Sequence, residues 1–171
     1  IELEVEAVLR TDDARDRHAD TDHRVVSRAV VAGSGGQADE IPDDVVDRLL
    51  PHADRALAWI EEFGDRDGDG YVEYARRTDR GLVNQGWKDS WDGIRFMDGR
   101  FPTPPIALCE VQGYVYGAYL ARAHFAWEHG DTATHDTYLA KAARLYERFN
   151  EDFWLDEHGW YALGLDADIE E

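Results

Sequence analysis

The stretch from Ile106 to Phe153, IALCEVQGYVYGAYLARAHFAWEHGDTATHDTYLAKAARLYERFNEDF, decides the class of fold. Its first half predicts a helix from Ile106 to about His129. Gly113, Gly117, Ala118 and Ala121 fall on closely related faces and let another helix approach, with Tyr114, Tyr116 and Tyr119 adding bulk. Gly130 stops this helix. The second half puts Tyr138, Ala142, Leu145 and Phe149 on one face of a helix from Thr132 to about Phe153, with Asp131 placed to cap it. Apolar faces joined by so short a connection form an antiparallel helical pair.

Working upstream, a third amphipathic helix begins at Ile41. Pro42 suits a first helical turn, Asp43 and Asp44 sit where the helix dipole favours anions, and Val45, Leu49, Ala53, Ala56, Leu57, Ile60 and Phe63 repeat at helical spacing. Pro51 is expected to kink or restart it, Gly64 to end it, and Trp59 fits either face.

Next comes Asp65-Arg66-Asp67-Gly68-Asp69-Gly70-Tyr71-Val72-Glu73, with carboxylates at alternate positions that converge if the chain wraps tightly, and Gly70 at the bend. This is the first half of an EF-hand-type pattern, giving a structural calcium ligand set of Asp65, Asp67, Asp69, the Tyr71 carbonyl and Glu73. The twelfth position, which that pattern fills with a bidentate Glu, is Arg76. An Asp/Gly turn from helix to strand is the alternative reading. Tyr71 to Tyr74 reads as a short strand, and the Gly- and Pro-bearing segment from Gly93 to Pro105 as a loop.

Between them lies Asn84-Gln85-Gly86-Trp87-Lys88-Asp89-Ser90-Trp91-Asp92-Gly93, which crowds charge, amide and indole together with almost no aliphatic filling. Asp89 stands between Trp87 and Trp91 with Lys88 and Asp92 nearby, so partial burial and neighbouring charge can tune its proton. A carboxyl so placed can serve as a general acid; a surface loop pinned by two tryptophans has the same composition.

Composition narrows the partners. The 171 residues suffice for one domain. With 18 basic against 37 acidic residues the formal net charge is −19, which argues against nucleic acid, whose binding rests on neutralising phosphates. Only Lys88 and Lys141 are lysines, and an acid-rich, lysine-poor surface suits a high-salt cytosol or an arginine-biased genome. Cys109 is the single cysteine, so no intrachain disulfide forms and a reducing compartment is the simpler inference. No apolar run of membrane-spanning length and no signal-peptide pattern occurs, so the expectation is a soluble cytoplasmic protein without a membrane partner.

The two ends carry less. Ile1, Leu3 and Val5 alternate with glutamates as in a short strand, but residues 11–40 read as poorly ordered, and His18 and His23 as solvated rather than ligating. Residues 1–40 are therefore set apart as an atypical N-terminal segment, with 41–171 as the folded part. Gly159 to Leu165 reads as a strand or hairpin arm, and the final acidic residues as unfinished.

Several motifs then fall into one pattern. Trp87-Lys88-Asp89 in a loop is followed about twenty residues on by Glu110-Val111-Gln112 at a helix start, with the Asp-x-Asp-Gly-Asp-Gly loop before them and Phe153-Trp154 then Gly159-Trp160-Tyr161 after. In these, residues 50–165 resemble the amylo-α-1,6-glucosidase domain of glycogen debranching enzymes, within the wider glucoamylase-like group. That resemblance implies a mainly α fold, a fragment of an (α/α)6 toroid with short β-strands in its connecting loops, so that residues 41–171 would be a partial six-hairpin domain. It also implies hydrolysis of α-1,6-glucosidic branches in a glycogen-like α-glucan, with inversion. Asp89 would be the proton donor; Trp87 and Trp91 would stack sugar and keep position 89 dry; Glu110 and Gln112 would bond glucose hydroxyls; Lys88 and Asp92 complete the substrate set. The second carboxylate, which activates water roughly 6.5–9.5 Å away in inverting enzymes, and the rest of the toroid would come from downstream sequence. No cofactor is required. A toroid glycosidase for another α-glucoside and a non-catalytic carbohydrate-binding or assembly segment are the alternatives.

Overall fold

A computed structural model describes residues 42–88 and 90–167. The chain divides into two units, Ile1–Glu40 and Ile41–Glu171, and the described residues all lie in the second. The readings at residues 1–40, at Ile41, at Asp89 and in the last four residues lie outside them.

Three helices dominate the described residues. Helix α1 spans Asp43–Phe63, α2 Cys109–Glu128 and α3 Thr132–Asp152. Five short strands accompany them: β1 (Glu73–Tyr74), β2 (Ile106–Leu108), β3 (Trp154–Leu155), β4 (Trp160–Tyr161) and β5 (Gly164–Asp166). Sheet order is β1-β2-β5, antiparallel throughout, with Glu73 opposite Ala107 and Ala107 opposite Leu165; β3 and β4 form a separate hairpin.

The predicted helical pair is present. The α2 residues Val115, Tyr119, Ala123 and Ala126 recur at helical spacing against Tyr138, Ala142, Leu145 and Phe149 of α3, and the Tyr119 and Tyr138 rings lie 5.8 Å apart. Asp131 caps α3 by accepting from the Thr134 amide at 3.1 Å. The Gly113 and Gly117 stripe is not the packed face: a Cβ at either would meet nothing within 4 Å, because α3 covers the Val115 side instead.

Three boundaries differ from expectation. Ile106, Ala107 and Leu108 are a buried strand rather than the first helical turn, held between β1 and β5, so α2 starts at Cys109. Tyr71 and Val72 precede β1 rather than belong to it, and the tail after Gly159 makes two strands where one arm was expected. Helix α1 runs unbroken through Pro51.

Of the α1 stripe only Leu57 is fully buried, with Leu49 and Phe63 about half exposed. Charge tethers this helix instead. Arg122 on α2 pairs with Asp54 at 2.5 Å, Lys141 on α3 pairs with Glu61, and His129 meets Asp47 at 2.9 Å. Among the described residues no helix is long and apolar enough to cross a membrane.

The core gathers where the sheet meets the pair. Tyr71, Ala107, Val115, Leu145 and Phe153 form one buried cluster, with Ile60, Phe149 and Tyr161 packed on it. Phe153 stacks on Phe149 at 4.5 Å and meets the Tyr71 ring edge-on at 5.3 Å. Phe153→Ala should therefore cost ~3–5 kcal/mol of stability, read from the urea midpoint. His129 supplies a second check. Its ring nitrogens face two acceptors, the Phe125 carbonyl at 2.7 Å and Asp47 at 2.9 Å, and only imidazolium donates to both. The Phe125 carbonyl first, and Asp47 next, raise its pKa. The sign is that of a stabilised cation: the contribution is complete below the unfolded value of about 6.5 and is lost as pH climbs through the raised folded value. His129→Gln should flatten that part of a melting-temperature profile against pH.

Candidate functional site

Two polar loops converge on the sheet and the start of α2. The first carries residues 84–93, and Asn84 organises it. This side chain is 4% exposed; its Oδ1 accepts from the Gly86 amide at 3.1 Å and the Tyr74 hydroxyl at 3.0 Å. Its Nδ2 donates to the Ser90 carbonyl at 3.1 Å and to the Lys88 carbonyl. The backbone on both sides of position 89 is thus tied to one buried carboxamide, anchored in turn to β1. A Cβ at Gly86 would lie 2.4 Å from Leu108 Cδ1 and 3.7 Å from Glu110 Oε1, so the loop crosses the helix start at a separation only glycine permits.

Trp87, Lys88, Trp91 and Asp92 therefore share a loop lying over the helix end that bears Glu110. Trp87 is 73% exposed and Trp91 66%, so these indoles offer flat apolar faces to solvent. The Lys88 ammonium lies 5.6 Å from the Trp87 ring centroid, and Trp91 is backed by Phe101 at 5.4 Å. Asp92 accepts from Ser90 Oγ at 2.8 Å and from Arg95 at 2.7 Å; the Ser90 hydroxyl first, with Arg95 adding, holds its carboxyl below the usual range. Glu110 is half-buried, with the Cys109 sulfur 3.8 Å from its Oε2; burial, then the Glu110 charge, pushes the thiol up.

Gln112 points the other way. It is 1% exposed; its Oε1 accepts from the Val72 amide at 3.0 Å, and its Nε2 donates to the Val72 and Leu108 carbonyls at 2.8 and 3.1 Å. Its carboxamide holds backbone, where the sequence pattern had assigned it to sugar.

The second loop is acidic. One carboxylate oxygen from each of Asp65, Asp67, Asp69 and Glu73 lies within 4.8 Å of the other three. Amides shape the turn: Gly68 and Gly70 donate to Asp65 at 2.7 and 2.9 Å, Asp69 to Asp67 at 3.1 Å, and Tyr71 to Asp69 at 2.8 Å. Gly70 has φ +88°, the bend expected of it. Burial first, and the Asp67 carboxylate next, push Glu73 up to about 8; burial likewise raises Asp69, against the pull of the Tyr71 amide. Beside this loop lies a cleft of about 260 Å³ lined by Ile60, Tyr71, Gln112, Lys141, Arg144 and Arg148.

Sequence reasoning did not single out Asn84 and Tyr74 as partners. The Asn-x-Gly step was the available signal, since Asn side chains bond their own backbone two residues on. No family model matches the chain, and no curated protein matches it. Asn84→Ala should release the loop, at a local cost of ~1–3 kcal/mol from the unsatisfied groups left behind. Hydrogen exchange across residues 84–93 should rise sharply while α2 and α3 keep their protection.

Proposed function

We propose that this chain is part of the catalytic domain of a glycoside hydrolase of the glycogen-debranching type, cleaving α-1,6-glucosidic branch linkages with inversion. Asp89 is the general acid, delivering its proton to the departing sugar oxygen. Trp87 and Trp91 present stacking faces, Lys88 and Asp92 flank the acid, and Glu110 bonds glucose hydroxyls. The observation that carries this reading is the tether of Asn84 to the carbonyls on either side of position 89, in a loop that passes beside Glu110. A general acid needs fixed geometry before it needs a tuned pKa, and this tether supplies fixed backbone.

On this reading the α2–α3 pair is one hairpin of a six-hairpin toroid. The open Gly113 and Gly117 face of α2, with Tyr114 66% exposed on it, is available to a neighbouring helix. A complete toroid of this type requires further hairpins, and a carboxylate that activates water, beyond the described residues.

A non-catalytic carbohydrate-binding segment is the second reading, favoured by the exposure of Trp87 and Trp91. Asp89→Asn in the full-length polypeptide separates the two. For the acid, kcat on a branched α-glucan should fall by ~10²–10⁴-fold while retention on immobilised glucan persists. Unchanged turnover removes Asp89 from the chemistry.

A further inference from the structure

The geometry points to a calcium site formed by the Asp65, Asp67, Asp69 and Glu73 carboxylates and the Tyr71 carbonyl. This goes beyond the glycosidase reading and stands or falls independently of it. Four clustered carboxylates are by themselves only a charged turn. The further observation is Glu73, whose two carboxylate oxygens are both buried and without a hydrogen-bond donor among the described residues. A buried carboxylate needs partners for its lone pairs, and what faces this one is the Asp67 carboxyl, which can meet it only by sharing a proton and supplies no donor once both are ionised.

The nearby cations are committed elsewhere. Arg148 packs over the Tyr71 ring at 4.8 Å and lies 3.6 Å from Asp152, and Arg66 donates to the Ala75 carbonyl at 3.0 Å. Arg148 reaches Asp69 only through its charge, and among the described residues no ion pair joins a cation to any of the four carboxylates. The amides that shape the turn use Oδ1 of Asp67 and Asp69, leaving Oδ2 of each for a metal. Four carboxylates and one carbonyl, with Glu73 bidentate or water added, give the six to eight oxygens calcium takes; an all-oxygen set of that size suits it better than the strict octahedron of magnesium. Glu73 thus replaces the missing twelfth-position glutamate as the group that closes the ring. Because the Glu73 amide also donates to the Gly64 carbonyl at 2.9 Å, the ion would clasp the end of α1 to β1.

Calorimetry of the chelator-treated full chain against calcium chloride tests this. One saturable site is expected, together with a calcium-dependent rise in melting temperature. Glu73→Gln and Asp67→Asn should each weaken binding by at least about tenfold. Asp67 is exposed, so its variant keeps the test decisive if Glu73→Gln does not fold. Absence of both heat and thermal shift at about millimolar calcium, or unaltered affinity in Asp67→Asn, overturns the site. Magnesium binding as tightly as calcium overturns the choice of ion.

Discussion

The Gln112 carboxamide is the constraint from which the arrangement of both loops follows. Its three hydrogen bonds fix Val72, and with it the exit of the acidic loop, to the carbonyl that ends β2 and to the first turn of α2. A buried amide satisfied on both its oxygen and its nitrogen is costly to disturb, because any shift strands a donor or an acceptor away from water. Val72 leads into β1, and β1 carries the Tyr74 hydroxyl that holds Asn84. One interior side chain thereby sets the position of one polar loop directly and of the other at one remove.

Charge does for α1 what apolar packing does for the helical pair. Its links to α2 and α3 run through Asp47, Asp54 and Glu61, while much of its apolar stripe stays exposed. Pairs at such exposure contribute little singly and weaken with added salt. The Arg122 guanidinium is the most buried of these groups, its side chain 14% exposed, and so the least screened.

Legibility in the sequence followed how local each interaction is. The α2–α3 pair was readable because periodicity, the Asp131 cap and the Gly130 stop all lie within the segment they describe. The strand at Ile106 was not, because three apolar residues fit a helix or a strand equally, and the choice is made by pairing with β1 and β5 far along the chain. The turn of the acidic loop was legible from Asp and Gly spacing; the burial of Glu73 was not, because it depends on tertiary packing. Gln112 shows a different failure. Its position, three residues before Val115 and seven before Tyr119, places it on the core face, but the family pattern it resembles implied a ligand. The loop at 84–93 was recognisable as polar and aromatic, whereas the tether through Asn84 needed the return of Ser90 towards it.

The central place of β2 bears on how the molecule is put together. Its neighbours arrive from opposite directions, β1 from before the long loop and β5 from after both helices of the pair. Helices joined by a tight turn can meet through near-neighbour contacts, whereas this sheet must wait for distant segments and bear the entropy of closing long loops. Contact order alone therefore favours the helical hairpin forming ahead of the sheet that orients both polar loops. Residues as remote as Gly164–Asp166 then bear on the order of loops to which they do not belong, by completing the sheet on which those loops rest.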